Sequence, residues 1–323
     1  MNQPNQTGQA TQNRTYALLA VGELLVDLIG HDLADSLLNT RDFHRYQGGS
    51  PANMAANMAR LGNRTALVAG VGQDNLGAYL KQRVAEAGVD TRYIAEDAQA
   101  PTSIVVVSRT RGTPDFIAYR QADCQIRPEH LPDELLQQSA IFHTTCFALS
   151  RQPAQDAIVE AAGRACRFGA QVSIDANYAT PIWPDREGAR RVIRNYCASK
   201  AFVKLSEDDA ARLYGSPQSP DRIIGDFHEM GARLVCLTLG ADGSLVSYEQ
   251  GRERVRLPGR RIDVVDATGA GDAYWAGFLT AWLDGKTPEQ CAYAGVALAE
   301  MKLTRSGPLP NAISRDDLYK LPA

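Results

Sequence analysis

Short apolar runs alternate with longer amphipathic segments along most of the chain, starting at Thr15. The apolar runs are predicted strands, at residues 16–21, 65–71, 104–109, 116–119, 141–144, 171–175, 201–204, 234–239 and 244–248. The amphipathic segments are predicted helices, at residues 51–61, 76–87, 153–168, 186–199, 207–213, 221–230, 270–283 and 288–304. Helices placed between buried strands cover both faces of a parallel sheet. The pattern therefore predicts an α/β fold with a mainly parallel central sheet.

Two stretches break this alternation, at about residues 23–47 and 101–124, because neither contains a convincing crossover helix. The second is typical of two strands joined by the turn Arg111-Gly112-Thr113-Pro114. We expect the two stretches to pair into a small sheet that stands off the main one. A length of 323 residues is typical of about two domains. No linker or composition change marks a boundary, so we predict one domain over residues 15–323.

Residues 1–14 are polar and lack the apolar core of a signal peptide, so we predict a disordered tail. The best apolar run, residues 273–283, is far shorter than the ~20 residues that a bilayer requires. We therefore expect no membrane partner and a cytoplasmic location.

Charge and cysteine content exclude several further classes of protein. The net charge is −3, which provides no general electrostatic field for nucleic acid. The six cysteines contain no C-x-x-C pair, so zinc ribbons and disulfide-rich miniproteins are not indicated. Free thiols in a reducing compartment are the simpler interpretation.

The sharpest chemical signal is a glycine-rich turn, residues 266–274 (DATGAGDAY), which opens an apolar helix. Gly269, Ala270 and Gly271 would present unobstructed backbone N–H groups at a helix N-terminus, where they can bind an anion. A carboxylate at Asp272 would repel a bound phosphate. It is useful there if it accepts a proton from a hydroxyl that attacks phosphorus, which is general-base catalysis of phosphoryl transfer.

Other glycine-rich sites fit this turn less well. A dinucleotide-binding G-x-G-x-x-G would need glycine where Tyr274 stands, and the Gly-Lys-Ser/Thr of a Walker A loop occurs nowhere. The main alternative is a structural turn in which Asp272 only caps the helix.

A second glycine cluster, Gly48-Gly49-Ser50-Pro51, opens the predicted helix 51–61. Two glycines permit close backbone approach, and Asn53 offers a donor and an acceptor suited to polyol hydroxyls. Asp27 follows the first strand, at the edge where open α/β sheets bind ligands, so it is a candidate for hydroxyl binding. The alternative for Asp27 is a solvated loop carboxylate.

Together and in this order, the two motifs resemble the signatures of the PfkB/ribokinase family of carbohydrate kinases. The matching segments are residues 48–77 (GGSPANMAANMARLGNRTALVAGVGQDNLG) and 266–277 (DATGAGDAYWAG). The resemblance covers essentially the whole chain after the tail. It implies a ribokinase-like three-layer α/β/α sandwich with a small β-sheet lid, which we assign to residues 23–47 and 101–124. It also implies ATP and Mg²⁺ as cofactors.

The resemblance assigns roles to the two glycine motifs. Asp272 would be the catalytic base, and the N–H groups of residues 269–271 would stabilise the transferred phosphoryl group. The sugar hydroxyls would be held by Asp27, Gly48, Gly49 and Asn53.

Two further segments would face the nucleotide. Residues 237–243 (LTLGADG) resemble a family segment near the ribose and phosphates of ATP, which implicates Thr238, Gly240 and Gly243. Residues 204–209 (KLSEDD) resemble the region of the family's N-x-x-E motif, associated with Mg²⁺ and phosphate.

In residues 204–209, Ser206 replaces the family's Asn, and Asp209, a shorter acid, replaces the Glu. Lys204 and Ser206 would then contact the nucleotide and Asp209 the metal. A solvated helix start with acidic first-turn residues is the alternative. Asp266 and Thr268 lie where many relatives bind a monovalent cation, which implies a K⁺ site.

Several segments favour the fructokinase-like branch, namely Gly22-Glu23 with Asp27, residues 173–178 with Trp183, and Lys204-x-Ser206. Asp175 would contact the sugar. In that branch and in ketodeoxygluconate kinases an Arg usually follows the D-x-N segment. Here Tyr178, Ala179 and Thr180 follow instead, which weakens a sugar-acid assignment.

Arg120, in the predicted lid, could grip a carboxylate or a hydroxyl, or could be a surface residue on an edge strand. Residues 43–53 are also similar to the dehydrodeoxygluconate kinases of inositol breakdown. The leading hypothesis is an ATP-dependent, fructokinase-like sugar kinase that phosphorylates a hydroxymethyl group. The alternatives are a 2-keto-3-deoxygluconate or 5-dehydro-2-deoxygluconate kinase, a nucleoside kinase, and a non-catalytic sugar- or nucleotide-binding protein. The resemblance also implies a homodimer formed through the lid.

Overall fold

The computed structural model describes residues 14–110 and 115–320. Residues 1–13 of the predicted tail and the predicted turn at residues 111–114 lie outside the described residues. The first described residue, Arg14, is tied to the domain, because its guanidinium donates to the backbone carbonyls of Ser139 and Phe168 at 2.5 and 2.6 Å. Residue 14 therefore belongs with the domain rather than with the tail.

The described strands form two sheets. In chain order they are β1 (Tyr16–Val21), β2 (Leu25–Leu33), β3 (Phe43–Gly48), β4 (Thr65–Gly72), β5 (Ile94–Asp97), β6 (Ile104–Arg109), β7 (Phe116–Tyr119), β8 (Ser139–Thr145), β9 (Gln171–Asp175), β10 (Phe202–Ser206), β11 (Leu234–Thr238), β12 (Ser244–Tyr248) and β13 (Glu253–Leu257). The main sheet has the order β13-β12-β11-β10-β9-β8-β1-β4-β5. Only the β11–β12 and β12–β13 pairs of this sheet are antiparallel.

Helices cover both faces of the main sheet. They are α1 (Ser50–Arg60), α2 (Asn75–Glu86), α3 (Asp133–Gln137), α4 (Ala154–Arg167), α5 (Arg186–Cys197), α6 (Glu207–Tyr214), α7 (Pro220–Glu229), α8 (Ala270–Leu283), α9 (Pro288–Leu303) and α10 (Arg315–Tyr319). One hydrophobic core lies between the sheet and α4 to α7, and a second lies between the sheet and α1, α2, α8 and α9. The predicted three-layer α/β/α sandwich is therefore confirmed.

The small sheet, which we call the lid, has the order β3-β2-β6-β7. Strand β2 pairs antiparallel with β3 and parallel with β6, and β6 pairs antiparallel with β7. It thus joins the two stretches that lacked a crossover helix, and the predicted second sheet is confirmed. Strand β2 begins a few residues after β1 ends, so the lid starts beside the carboxyl edge of the main sheet.

Apart from lid strands β2 and β3, which were expected only as one irregular stretch, the elements that escaped prediction are short or lie at edges. Strand β5 has four residues and ends the main sheet on one side, and β13 ends it on the other. The sequence of β13, ERVRL, carries three charged side chains, which is how edge strands avoid pairing with other chains but which hides the strand from a hydropathy pattern. Among the described residues, no helix has the length and apolar character needed to cross a bilayer.

Candidate active site

The carboxylate of Asp272 lies buried at the seam between α1 and α8. Ser50, the first residue of α1, donates through Oγ to Asp272 Oδ1 at 2.6 Å, and Asn53 Nδ2 donates to Oδ2 at 2.9 Å. Burial raises the pKa of Asp272, while these two hydrogen bonds and the nearby Lys204 ammonium oppose the rise. A carboxylate whose pKa is raised is a better proton acceptor than a solvated one.

Asp272 follows a glycine turn of left-handed conformation. Gly269 is the N-cap of α8 and has φ of +73°, which favours glycine over any residue with a Cβ. Gly271 is constrained by space, because a Cβ on it would lie 2.7 Å from Lys204 Nζ. The N–H groups of residues 269–271 stand at the positive end of the helix dipole, although that of Ala270 donates to the Ala267 carbonyl at 3.2 Å. The turn can therefore receive an anion directly beside the Asp272 carboxylate.

A buried ion pair lies beneath this turn. Lys204 on β10 and Asp175 on β9 are partners in the parallel register, and Lys204 Nζ donates to Asp175 Oδ2 at 2.9 Å. Both side chains are almost fully buried. Burial alone would lower the pKa of Lys204, but the carboxylates of Asp175 and Asp209 raise it above its ordinary value. The ammonium thus remains charged under Gly271, and Asp175 faces this cation.

Asp27 on lid strand β2 lies close to the same centre. It is half-buried, and burial together with the Asp272 carboxylate raises the pKa of Asp27 to about 7. A Cβ on Gly48 would overlap the Asp27 carboxylate, so glycine is required there. Gly49 has φ of +102°, and a Cβ on it would overlap the Glu23 carbonyl. The structure therefore brings the predicted sugar-binding residues Asp27, Gly48 and Gly49 to Asp272.

Asn53 bridges the lid and the Asp272 carboxylate. Its Oδ1 accepts a hydrogen bond from Gln47 Nε2 at 3.2 Å, while its Nδ2 donates to Asp272. Gln47 lies on lid strand β3, so the amide of Asn53 links the strand to α8. A substrate hydroxyl that binds here would replace one of the two hydrogen bonds that the Asn53 amide makes.

Arg120 is not a surface residue, because its side chain is only 5% exposed. Its Nε donates to Asp123 Oδ2 at 2.7 Å, and its Nη1 donates to the Phe147 carbonyl at 3.0 Å and to Ser150 Oγ at 2.6 Å. The guanidinium also stacks over the Phe147 ring, 4.1 Å from its centroid. The edge-strand alternative for Arg120 is therefore wrong, and the guanidinium already has a buried carboxylate partner.

The predicted nucleotide residues lie at the carboxyl ends of β10 and β11. Ser206 and Thr238 are paired in register, and Thr238 Oγ1 donates to the Leu205 carbonyl at 3.4 Å. Gly240 and Gly243 have φ of +55° and +94°, and a Cβ on Gly243 would overlap the Leu257 carbonyl. These residues and Lys204 share one edge of the sheet with the glycine turn.

The carboxylate of Asp209 is engaged by its own helix. Its Oδ2 accepts from Ser206 N–H at 3.0 Å and from Ser206 Oγ at 2.6 Å, and its Oδ1 accepts from Arg212 Nη2 at 2.6 Å. This is a capping box at the start of α6. Because both oxygens already accept hydrogen bonds, the geometry argues against the prediction that Asp209 ligates a metal directly.

Asp266 is also fully engaged. Its Oδ1 accepts from Thr268 N–H at 2.9 Å, and its Oδ2 accepts from Lys302 Nζ at 3.1 Å. Partial burial would raise the pKa of Asp266, but these hydrogen bonds lower it overall. A K⁺ ion at Asp266 would have to displace the Lys302 ammonium, so the residues present do not fit K⁺. Among residues 14–110 and 115–320, no group of three His, Cys, Asp or Glu side chains could hold a metal ion.

Glu23 anchors the second glycine turn. Its Oε1 accepts from the backbone N–H of Ser50 at 3.2 Å, and its Oε2 accepts from Thr145 Oγ1 at 2.8 Å. The side chain is buried, and burial raises the pKa of Glu23 to about 8, although the Thr145 hydrogen bond opposes the rise. Glu23 thus fixes the residue whose hydroxyl contacts Asp272.

Comparison with known proteins agrees with this geometry. Residues 17–314 match the model of the pfkB family carbohydrate kinases. The chain belongs to this family. It is a carbohydrate kinase of a family that uses ATP.

Individual members of the pfkB family resemble the chain over most of its length. An ATP-dependent 6-phosphofructokinase from Thermoanaerobacterium thermosaccharolyticum is 34% identical over 96% of this chain and 95% of its own. The structure of Halothermothrix orenii fructokinase has a TM-score of 0.75 and 36% identity, covering 87% of this chain and 98% of its own. An uncharacterised sugar kinase from Pyrococcus horikoshii, solved in complex with ATP, has a TM-score of 0.82 and 26% identity, covering 94% of this chain and 97% of its own.

In this pfkB kinase, three site residues were not predicted from sequence: Glu23, Ser50 and Lys302. Glu23 and Ser50 lie next to residues that were predicted to bind the sugar. The local sequence does not indicate that Glu23 and Ser50 contact each other. Lys302 carried a usable signal, because a lysine near the end of the apolar segment 291–303 is unusual unless it is paired.

The buried Glu23 predicts a stability change with pH. Because the folded-state pKa of about 8 exceeds the ordinary value of 4.5, its contribution to stability is full below pH 4.5 and is lost as pH rises towards 8. Glu23→Gln removes the charge, and its amide oxygen can still accept from the Ser50 N–H while its NH₂ group donates to the Thr145 hydroxyl, which reverses that hydrogen bond. We expect it to raise the free energy of unfolding at pH 8 by at least about 1 kcal/mol, and much less at pH 5.

Denaturant titrations at the two pH values measure this difference, and the exposed Glu253→Gln is the matched control. Equal effects of Glu23→Gln at both pH values would contradict the raised pKa.

Proposed function

We propose that this kinase transfers the γ-phosphoryl group of ATP to a hydroxymethyl group of a small ketose, as a fructokinase does. One observation carries the proposal. The buried carboxylate of Asp272 faces lid residue Asp27 on one side and follows the glycine turn at residues 269–271 on the other. A binding site for the sugar hydroxyl and a binding site for the phosphate thus meet at Asp272, which can accept the proton.

The sugar would bind between the lid and α1. Asp27 and the polar groups around Gly48 and Gly49 would accept and donate hydrogen bonds to its hydroxyls, with Asn53 at the inner end. Ser50 and Asn53 hold the Asp272 carboxylate in place, so its orientation is set before substrate arrives. Asp272 would accept the proton of the attacking hydroxyl as the oxygen bonds to phosphorus.

The developing charge on the phosphoryl group would be stabilised by fixed dipoles. The N–H groups of Gly269 and Gly271 lie at the start of α8, and the Lys204 ammonium lies beside Gly271. The N–H of Ala270 would join them by leaving the Ala267 carbonyl. Fixed donors in a water-excluded site stabilise a transition state without reorganisation. ATP would lie along Ser206, Thr238, Gly240 and Gly243, with Lys204 under its terminal phosphates.

Mg²⁺ would enter with the nucleotide and would neutralise the charge of its phosphates. Mg²⁺ in kinases keeps several waters and needs only one or two protein carboxylates. Asp175 is the best candidate for such a contact, since its Oδ1 is buried and has no hydrogen-bond partner among the described residues. Asp209 is a poorer one because both its oxygens are engaged.

The engagement of Arg120 favours an uncharged ketose over a sugar acid. A guanidinium that is already paired with Asp123 and stacked on Phe147 would have to give up these contacts to grip a carboxylate. A second candidate substrate is fructose 6-phosphate. It is favoured by the 34% identity to a protein named 6-phosphofructokinase.

A substrate panel tests the assignment. Purified protein with ATP and Mg²⁺ is assayed for ADP release with fructose, fructose 6-phosphate, 2-keto-3-deoxygluconate, 5-dehydro-2-deoxygluconate, ribose and adenosine. We expect the highest kcat/KM with one of the two fructose compounds. A preference for either sugar acid or for adenosine would overturn the ketose assignment. A sugar-dependent rise in Tm with no ADP release would instead indicate a binding protein.

We further propose that the kinase is a cytoplasmic homodimer joined through the lid. Large apolar side chains of the lid are exposed, namely Leu33, Tyr46, Ile117 and Tyr119, and their burial against a second copy would be favourable. The six cysteines are all free, which supports a reducing compartment. Sedimentation of the full chain measures the mass of the assembly.

A further inference from the structure

A buried lysine lies near the glycine turn that precedes α8. Lys302 lies in the last turn of α9, and its side chain is only 9% exposed. A lone buried ammonium is costly, so its partner indicates its role. That partner is Asp266, whose Oδ2 accepts from Lys302 Nζ at 3.1 Å.

The Lys302–Asp266 pair holds the segment that leads into α8. The N–H groups of Val265 and Asp266 donate to the Leu303 carbonyl at 2.8 and 3.3 Å, so the segment is attached to the end of α9. Lys302 Cε lies 3.9 Å from the position that a Cβ on Gly269 would take. The charged end of the lysine side chain therefore runs alongside the left-handed residue that begins the anion-binding turn.

Relatives are expected to bind a monovalent cation at the positions of Asp266 and Thr268. In this chain, the carboxylate of Asp266 already pairs with an ammonium group. Both oxygens of Asp266 accept hydrogen bonds, one from Thr268 N–H and one from Lys302. An ammonium group carries the same single positive charge as K⁺. Its place near the C-terminal end of α9 is also one where the helix dipole favours a cation.

We propose that the Lys302 ammonium is a covalently tethered monovalent cation, which orders the glycine turn and makes the enzyme independent of K⁺. The ammonium neutralises Asp266 and holds residues 265–269 against α9. The turn then keeps its N–H groups aligned whatever the ionic composition of the medium.

Thermal unfolding without substrate tests the cation site directly. The Tm of the wild type is measured in KCl, NaCl and choline chloride at equal ionic strength, and we expect the same value in all three. Lys302→Met removes the charge and keeps most of the side-chain volume. We expect its Tm to be lower than that of the wild type in choline chloride and to rise selectively in KCl, because a ligand that binds only the folded state stabilises it.

Lys320→Met, which removes an exposed ammonium, is the matched control and should show no selective effect of K⁺. If Lys302→Met does not fold, the double variant Asp266→Asn/Lys302→Met, which leaves no unpaired charge, should fold and show no K⁺ response. A selective rise of the wild-type Tm in KCl would overturn the proposal. So would a folded Lys302→Met with the same Tm in KCl and choline chloride.

A kinetic arm rests on the proposed function and uses the best substrate of the panel. We expect wild-type kcat/KM for ATP to be equal in KCl and choline chloride. For Lys302→Met we expect a loss of roughly tenfold in choline chloride, the scale of one displaced positioning group, and partial recovery in KCl. If no substrate of the panel is turned over, the proposed function fails while the unfolding measurements still decide the role of Lys302.

Discussion

Asp272→Asn is expected to lower kcat by roughly 10²–10⁴-fold, which is the usual contribution of a general base. The amide has the size of the carboxylate but cannot accept the proton of the attacking hydroxyl. It also places an NH₂ group against either the Ser50 hydroxyl or the Asn53 NH₂, both of which donate in the native site. The substrate hydroxyl therefore loses its proton acceptor, and the hydrogen bonds from Ser50 and Asn53 to residue 272 are disturbed.

The fold should survive this substitution. Asp272 is buried, and burial disfavours its charged form, so removal of the charge offsets the lost hydrogen bonds. We expect the free energy of unfolding to change by no more than about 1 kcal/mol, and sugar should still raise the Tm. ADP release and thermal unfolding are measured on the same preparation, with the exposed Asp317→Asn as control. Turnover by Asp272→Asn within a few-fold of the wild type would remove Asp272 from the mechanism.

Local patterns predicted the elements that build the site. The bounds of α8, residues 270–283, and of β9, residues 171–175, are those expected from sequence, because a glycine turn starts the helix and an unbroken apolar run marks the strand. Strand β13 was missed because its three charged side chains hide it from an apolar pattern, and β5 was missed because it has only four residues. Two lid strands, residues 104–109 and 116–119, were predicted with the bounds that the structure has. Strands β2 and β3 were predicted only as one irregular stretch that pairs into the lid, since a strand with one exposed face has a weak apolar pattern.

Some features of the site follow from the local sequence, and others depend on contacts between residues far apart in the chain. A glycine turn before a helix is a local feature, so Asp272 and residues 269–271 could be predicted. The contact between Ser50 and Asp272 joins residues 222 positions apart, and that between Asp266 and Lys302 joins residues 36 apart. No pattern within a motif indicates such partners. The capping box of Ser206 and Asp209 is the opposite case, because a local helix start explains residues that the family resemblance assigned to metal binding.

Lys204→Met is expected to destabilise the protein by about 3–5 kcal/mol, because it leaves the Asp175 carboxylate buried without its cation. The wild-type pair is almost fully buried, with Nζ and Oδ2 2.9 Å apart. Denaturant unfolding at neutral pH measures the loss. The double variant Lys204→Met/Asp175→Leu removes both charges and fills the space with apolar atoms, so most of the stability should return.

Activity separates the electrostatic role of Lys204 from its structural one. The ammonium lies against Gly271, where the phosphoryl group gains negative charge, and neither Met nor Leu can replace that charge. We therefore expect the double variant to be stable but to keep a kcat at least roughly tenfold below the wild type. Recovery of stability together with full activity would show that the pair only fills the core. Recovery of stability alone would mean that the buried pair is kept for the reaction at some cost to the fold, through the Lys204 ammonium or through the contact of Asp175 with Mg²⁺.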